Sequence, residues 1–388
     1  MSWLLQTHSQ AQFNWEWYLL QVLCLVLPLN TVLSALLALL LIGFFIARHG
    51  LWCLDTPLNR GWLIFSALLG ISVLTAHDRA SALFGLVNFY PFILLGAISA
   101  YLLPTTAEKI HLLWLCLLGS LPLSLLGVIQ VVLNRPDWSL PRLFNSYEIR
   151  LGVGEDGRIT SLFGHSNELA FYCLLLLPVA VHFGLGKARK TLWLNGLILA
   201  LLIAMLIFAQ SRNGWGVAFI GTLLQSGFYG YWWLLAGALI VVPSGLWWAQ
   251  MAGIGRTGWQ DFLSANAIRV SIWQFTWDFI AQRPWLGWGL RSFFVLRQEY
   301  DYQHAHEHSL YLAIALGAGL PALIVFLLLI FVTLIRSFQQ KIEINVIAGL
   351  SMILFLLSGI HDTTHYEPRV FILFWLMVAI AQRSNLQE

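Results

Sequence analysis

Three histidines alternate with other residues just before a long apolar stretch, in the segment His304-Ala-His306-Glu-His308. A neutral imidazole near pH 7 can accept a proton from a hydroxyl nucleophile, and Glu307 could orient a neighbouring ring. Histidine also ligates zinc, although this spacing fits a strand or a loop better than one helical face. The segment therefore predicts a general base; a metal site and a solvated surface loop are the alternatives.

A single arginine, Arg212, lies in a very short turn between two apolar stretches, directly after Gln210 and Ser211. A charge held this close to hydrocarbon is costly, and such a residue usually serves a function. A guanidinium binds phosphate or carboxylate oxygens through two hydrogen bonds and stays charged when partly desolvated. Arg212 is thus a candidate anion ligand, while an ion pair or a side chain that reaches the headgroups is the structural alternative.

Arg269 and Trp273 belong to a segment with helical periodicity, residues 265–282. Its apolar face is formed by Ile268, Ile272, Phe275 and Phe279. The pattern predicts an amphipathic helix on the membrane surface, in which the Trp273 ring could hold the Arg269 guanidinium. Pro284 ends the helix, and the two glycines that follow it allow a tight turn. A purely structural surface helix is the alternative.

The elements that carry these residues must span a membrane, because 59% of the 388 residues are hydrophobic and only 10% are charged. A soluble chain has about 25% charged residues, so this composition excludes a cytosolic enzyme and a disordered chain. We expect one all-α transmembrane domain over residues 1–388 with the lipid bilayer as its surroundings. The net charge of +3 gives no indication of nucleic acid, and the four scattered cysteines form no metal-binding pattern.

Apolar stretches of about 17–25 residues can cross a bilayer as helices, and the chain has about twelve candidates. The predicted spans are 17–28, 31–47, 61–77, 83–103, 109–133, 167–184, 191–210, 213–229, 231–250, 309–336, 345–361 and 369–383. Because Pro28 and Asn30 interrupt the first apolar stretch, it is predicted to form two short helices joined by a tight turn.

Basic residues in the short loops predict the orientation. If the N-terminus is cytoplasmic, every lysine falls on the cytoplasmic side and the outer side carries arginine but no lysine. Both termini are then cytoplasmic, and two long loops, residues 134–166 and 251–308, lie outside. Residues 1–16 hold no Lys or Arg, so no cleaved signal peptide is expected. No cysteine falls in an outer loop, and no disulfide is expected.

These residues together resemble the O-antigen ligase and polymerase superfamily, multi-span bacterial glycosyltransferases of the inner membrane. The resemblance covers residues from about Ile159 to Arg383 and the number of spans. Its four parts are the stretch Ile159–Ala170 with Asn167, the turn Gln210-Ser-Arg212, the signature Arg269…Trp273…Pro284…Gly287-Trp-Gly289, and His306-Glu-His308-Ser-Leu-Tyr-Leu followed by Gly317 and Gly319. The family commonly has Asn where this chain has Ser309, whose hydroxyl can still form hydrogen bonds.

The resemblance implies transfer of a glycan from a polyprenyl-diphosphate carrier to an acceptor hydroxyl at the periplasmic face, in polysaccharide or lipopolysaccharide O-antigen synthesis. Arg212 and Arg269 would clamp the diphosphate and stabilise the leaving group. His308 would take the proton of the acceptor hydroxyl, and the displacement would invert the anomeric carbon. His306, Arg291, Asn167 and Trp273 would bind the substrate. Neither a metal nor another cofactor is implied, since arginine neutralises the diphosphate.

A transporter of a small anion such as bicarbonate is the alternative function, since many spans and buried charges also describe a carrier. A transporter should hold its polar residues near the bilayer midplane beside broken helices. Here the candidates lie at helix ends and outer loops, which favours an enzyme. The motifs do not distinguish a ligase from a polymerase, and they identify neither the sugar nor whether the acceptor is a lipid, a glycan or a protein.

Overall fold

The computed structural model describes residues 14–140, 149–154, 156–185, 192–230, 232, 233, 236, 237, 239, 240, 244 and 259–382. The described part of the chain is 79% helical. The helices of the first half are α1 Trp15–Val26, α2 Thr31–His49, α3 Pro57–Leu74, α4 Arg79–Leu86, α5 Tyr90–Leu102, α6 Thr106–Leu133 and α7 Ser166–Leu185. Those of the second half are α8 Leu192–Ala209, α9 Arg212–Tyr229, α10 Trp259–Gln282, α11 Ser292–Glu299, α12 Leu310–Gln339, α13 Glu343–His361 and α14 Pro368–Ile380.

Among the described residues, 8 helical segments are long and apolar enough to cross a membrane. They are α2, α3, α4 with α5, α6, α7, α8, α12 and α13. The apolar helices α1 and α14 are shorter, with 12 and 13 residues. The span predicted over residues 231–250 lies largely outside the described residues. The nearly all-α membrane fold is therefore supported, and the count of about twelve spans stays a prediction.

Local sequence signals explain where several helices begin. Asn30 caps α2 by accepting a hydrogen bond from the backbone N–H of Leu33 at 2.9 Å, so the tight turn predicted between the first two helices is confirmed. The span predicted over 83–103 is two helices, because α4 ends at Leu86 and α5 restarts with Pro91 in its first turn. Proline fits there, since the first turn needs no amide donor.

Both long loops contain regular structure. In the first, β1 Arg135–Leu140 pairs antiparallel with β2 Ile149–Leu151, a departure from the purely helical prediction. In the second, the amphipathic helix predicted over 265–282 is present and extends further toward the N-terminus as α10. The short helix α11 follows it.

A break in α12 holds the second long loop in place. Gly319 has φ 84° inside α12, and a Cβ at this position would lie 2.2 Å from the carbonyl oxygen of Trp285. Only glycine therefore allows this approach. The backbone N–H of Leu320 donates to the carbonyl of Pro284 at 2.7 Å, and the N–H of Trp288 donates to the carbonyl of Leu316 at 2.8 Å. These bonds fix α10 and α11 against the first half of α12.

The long helices connect two opposite ends of the bundle, which we name by their residues. The histidine end holds His308, the C-terminus of α13 at His361 and the N-terminus of α7. The lysine end holds Lys109 of α6, which donates to Asn345 near the N-terminus of α13 at 3.0 Å and to the carbonyl of Gln382 after α14. Between the two ends, α7, α13 and α14 are the helices with the largest share of buried residues.

Candidate active site

His308 lies where the second long loop meets the first residue of α12. Its backbone is left-handed, with φ 46°, and the next residue, Ser309, caps α12. The backbone N–H of Leu310 donates to the carbonyl of Asp362 at 3.2 Å, which ties the start of α12 to the loop between α13 and α14. The Ser309 side chain serves as the helix cap, a role that serine performs well. The imidazole is thus held between two membrane helices.

Asp362 is the partner of His308. The His308 Nδ1 atom lies 3.3 Å from Asp362 Oδ1, and the carboxylate also accepts from the backbone N–H of Thr363 at 2.9 Å. Burial alone would raise the pKa of Asp362, but the hydrogen bond from His308 and the charges of His308 and His306 hold it below its usual range. Asp362 is therefore an ionised, buried carboxylate that can only accept hydrogen bonds.

His306 lies beside this pair. The ring centroids of His306 and His308 are 4.0 Å apart, and the His306 Nδ1 atom is 3.3 Å from the hydroxyl oxygen of Thr363. Burial and the charge of a protonated His308 lower the pKa of His306 to about 4, so His306 is neutral at pH 7. A neutral imidazole can both donate and accept a hydrogen bond, and the role of His306 in binding substrate stays a prediction.

Asn167 connects the pair to the first long loop. Its amide nitrogen donates to Asp362 Oδ2 at 2.9 Å, and its amide oxygen accepts from Arg158 Nη2 at 2.7 Å. Arg158 also donates through Nε to the carbonyl of Ala209 at 2.8 Å. The side chain predicted to bind substrate therefore also holds the carboxylate that contacts His308.

Arg269 and Trp273 reach the same place from α10. Arg269 Nε donates to the carbonyl of His361 at 3.2 Å, and Trp273 Nε1 donates to the carbonyl of His308 at 3.2 Å. The Trp273 ring also packs at 5.6 Å from the ring of His361. The predicted amphipathic helix thus brings both residues to His308, although each contacts the histidine-bearing segments instead of holding the other in place.

Arg212 is the first residue of α9, directly after the N-cap Ser211. Its neighbour Asn213 donates to the carbonyl of Ser358 at 3.0 Å, in the last turn of α13. Because Ser358 lies one turn before His361, the Arg212 turn is at the histidine end, on the side of α13 where Arg269 also binds. The structure therefore brings both predicted arginines to the same helix terminus.

Arg291 and Glu307 lie around Tyr366 and the loop it belongs to. The Arg291 guanidinium lies 4.8 Å from the ring centre of Phe84 and 5.1 Å from that of Phe294. Glu307, which is 2% exposed, accepts a hydrogen bond from the Tyr366 hydroxyl at 3.2 Å. Burial raises the pKa of Glu307 to about 7. Glu307 was expected to orient a neighbouring imidazole, but its carboxyl contacts Tyr366. The carboxylate that contacts the His308 ring belongs to Asp362.

Asp362 was missing from the sequence prediction, although a signal was present. Seven polar or aromatic residues run from His361, the last residue of α13, to Glu367, directly before α14. Polar residues in a short turn between two spans lie close to the hydrocarbon, which is unfavourable, as it is for Arg212, and such residues usually serve a function. The pairing itself joins residues 54 positions apart, a separation that no local spacing rule detects.

Among the described residues, His306, His308 and Asp362 offer three ligand atoms that lie within 4.8 Å of one another. The metal site considered as an alternative would thus use His306, His308 and Asp362, and would not include His304. However, the Asp362 carboxylate already receives hydrogen bonds from Asn167, Thr363 and His308. A carboxylate satisfied in this way is typical of one that orients an imidazole.

Comparison with known proteins gives one family. The O-antigen ligase family model matches residues 197–327, about a third of the chain. The matched segment contains Arg212, Arg269 and His308, whereas Asn167 and Asp362 lie outside it. The match supports the O-antigen ligase/polymerase superfamily that the motifs predicted. No curated protein matches the chain significantly.

Proposed function

From the match to the O-antigen ligase family, we propose that this protein is a glycosyltransferase of the bacterial inner membrane. It transfers a glycan from a polyprenyl-diphosphate carrier to a hydroxyl of a lipid or glycan acceptor at the periplasmic face. The observation that carries the proposal is the contact between His308 and the ionised Asp362, at the end of the bundle that also holds Arg212 and Arg269.

The contact with Asp362 assigns the proton of His308. A carboxylate can only accept, so the Nδ1 atom that faces it carries the hydrogen, and in the neutral ring the lone pair is then on Nε2. Nε2 takes the proton from the acceptor hydroxyl while the hydroxyl oxygen forms a bond to the anomeric carbon. The bond from this carbon to the diphosphate oxygen breaks, and its electron pair leaves with the diphosphate. Attack from the face opposite the leaving group inverts the anomeric carbon.

Arg212 and Arg269 stabilise the departing diphosphate. The Nε atom of Arg269 is fixed on the carbonyl of His361, which orients the rest of its guanidinium. Two guanidinium groups held in place before the reaction stabilise the charge that builds on the leaving group. We propose that this makes a metal ion unnecessary, and that His306, Arg291, Asn167 and Trp273 complete the site around the substrate.

The histidine end faces the periplasm in this proposal, and both termini are cytoplasmic. The support is the distribution of lysines, because Lys109 of α6 and Lys341 before α13 are both at the lysine end of the bundle. Basic residues in short loops favour the cytoplasmic side. Lys187, Arg189 and Lys190, which also entered the prediction of topology, lie outside the described residues.

Purified protein supplied with a polyprenyl-diphosphate-linked glycan and candidate acceptors tests the proposal. We expect glycan transfer with release of polyprenyl diphosphate, at a rate that EDTA leaves unchanged. Loss of activity in EDTA with recovery on adding a divalent cation would contradict the metal-free mechanism. In a deletion strain, loss of long chains alone would identify a polymerase, and loss of all capped product would identify a ligase.

The transporter alternative makes a different prediction in the same preparation. One feature of the fold fits it, since α12 is broken at Gly319, and broken helices are typical of transporters. In this chain, however, the segment around Pro284 and Trp285 fills the break through backbone contacts. Proteoliposomes that take up labelled bicarbonate but release no polyprenyl diphosphate would favour the transporter.

A further inference from the structure

Arg158 is a buried charge that the proposed mechanism does not yet use. It lies in the first long loop, is 8% exposed, and is outside the segment that the O-antigen ligase family matches. Two of its nitrogens bind different elements, since Nε donates to the carbonyl of Ala209 and Nη2 donates to Asn167. Burying a guanidinium requires such partners, because an unpaired charge in this position would be very costly.

In the series of hydrogen bonds from Arg158 through Asn167 to Asp362, the donor and the acceptor of each bond can be assigned. A guanidinium only donates, so the Asn167 side chain must present its oxygen to Arg158 and its NH₂ group to Asp362. The carboxylate then accepts from Asn167 on one oxygen and from His308 on the other. Reversing the amide would place its oxygen against the carboxylate and its NH₂ group against the guanidinium, so Arg158 and Asp362 together fix the amide orientation.

We infer that Arg158 is a positioning residue for His308, acting through Asn167 and Asp362. The inference rests on the proposed function, in which His308 is the base. Arg158 also connects this chain of contacts to the arginine turn, because Ala209 is the last residue of α8 and stands three positions before Arg212. One side chain therefore sets the position of the carboxylate and of the turn that carries the diphosphate ligand.

A purely structural role is the competing explanation. The first long loop is attached to α8 in other ways, since Gln210 donates to the carbonyl of Gly157 at 3.1 Å and Ile159 donates to that of Phe208 at 3.3 Å. These bonds remain when Arg158 is replaced, so the loop should stay docked. A role in holding the loop would reduce stability, whereas a positioning role would reduce turnover.

The primary test replaces Arg158 with Met and measures kcat and KM for the polyprenyl-diphosphate glycan. Because Arg158 does not touch the substrate in this proposal, we expect kcat to fall about tenfold to hundredfold with KM nearly unchanged, the effect of losing one charged hydrogen bond. The kcat of Arg158→Lys should lie between those of the wild type and Arg158→Met, since one ammonium cannot bind both Ala209 and Asn167 in the same geometry. The matched control is Arg135→Met, an exposed arginine of the same loop, which should keep wild-type kinetics.

A second measurement separates positioning from structure. In the Asp362→Asn background the contacts that lead from Arg158 to His308 are already interrupted at Asp362. Adding Arg158→Met should then lower kcat by less than about threefold. Equal losses in both backgrounds would indicate independent effects and would overturn the inference. If Arg158→Met fails to fold, Asn167→Leu replaces it, with the same expected loss of kcat and the same loss of effect in the Asp362→Asn background.

The outcomes also separate this inference from the proposed function. Wild-type turnover in Asp362→Asn and in His308→Ala would remove the proposed base, and the inference with it. Slow turnover in Asp362→Asn combined with wild-type kinetics in both Arg158→Met and Asn167→Leu would leave the base in place and overturn the role of Arg158 alone.

Discussion

The two ends of the helical bundle both bury polar side chains, but they connect them differently. At the lysine end, Lys109 reaches Asn345 and the carbonyl of Gln382, all close to helix termini. Glu16 binds Arg48 at 3.2 Å in the same manner, between the start of α1 and the end of α2. These contacts join pairs of neighbouring helices and satisfy the groups they involve.

At the histidine end, the contacts converge on one pair of residues. His308 from the second long loop meets Asp362 from the α13–α14 turn, and Asn167 and Arg158 arrive from α7 and the first long loop. Arg269 and Trp273 add contacts from α10. Residues from the two long loops, from the start of α7 and from the turn between α13 and α14 thus meet around one imidazole.

A buried charge alone therefore does not identify an active site in this fold. Lys109 is 1% exposed, more deeply buried than Arg158, and it only links helix termini. What distinguishes the histidine end is the meeting of a proton acceptor, a carboxylate that orients it and arginines that can bind an anion. Substitution of His308 should therefore lower turnover, whereas substitution of Lys109 should affect stability alone.

The largest effect is expected at His308. Replacing His308 with Ala removes the proton acceptor, so kcat should fall by about 10²–10⁴. Donor binding should change little, because the arginines remain, and α12 should still begin at the same residue, because its cap at Ser309 is unchanged. His304→Ala is the matched control from the same loop, since its ring packs on Tyr302 at 5.3 Å and not on Asp362. Near-normal turnover in His308→Ala would remove the distinction drawn between the two ends.

Part of this arrangement could be predicted from the sequence. Arg212, Arg269 and His308 carry types and spacings that indicate chemistry by themselves, and the structure places all three at one end of the bundle. The partners of His308 could not be predicted in the same way, because Asp362 reaches it through the packing of α12 against α13. The position of Arg158 depends likewise on how the first long loop folds back onto Ala209.

In the fold, too, local features could be predicted from the sequence, whereas contacts between distant segments could not. Helix starts at Asn30 and Pro91 follow from residue type, since a cap and an N-terminal proline act within one turn. The docking of Pro284 and Trp285 into the break at Gly319 joins two segments more than thirty residues apart, and only the glycines indicate it in the sequence.

The second prediction concerns the effect of pH on stability at the histidine end. Burial raises the pKa of Glu307 from 4.5 to about 7. The folded protein therefore holds this proton more tightly than the unfolded chain does, so the resulting stability is fully present below about pH 4.5 and is lost as pH rises through about 7. At 1.36 kcal/mol per pKa unit, the loss is about 3 kcal/mol.

Glu307→Gln tests this prediction, because glutamine cannot ionise and still accepts a hydrogen bond from Tyr366. Thermal unfolding in detergent at pH 5 and pH 8 should show a smaller loss of stability at pH 8 in Glu307→Gln than in the wild type. Asp301→Asn, an exposed acid of the same loop, should retain the wild-type difference between the two pH values. Identical pH dependence in Glu307→Gln and wild type would show that the buried carboxyl does not titrate in this range.

The smallest effect is expected at Lys109, and it tests the other half of the comparison. Lys109→Met leaves Asn345 Oδ1 and the carbonyl of Gln382 without their donor, while it removes the cost of burying an ammonium. The two effects oppose each other, so the net loss of stability should be on the order of 1 kcal/mol. Turnover should remain at the wild-type value, because Lys109 and His308 lie at opposite ends of α13. Lys341→Met, an exposed lysine at the same end, should change neither the unfolding temperature nor turnover. If Lys109→Met lowers kcat while the unfolding temperature is unchanged, the lysine end takes part in the reaction, and the separation between a structural end and a catalytic end is wrong.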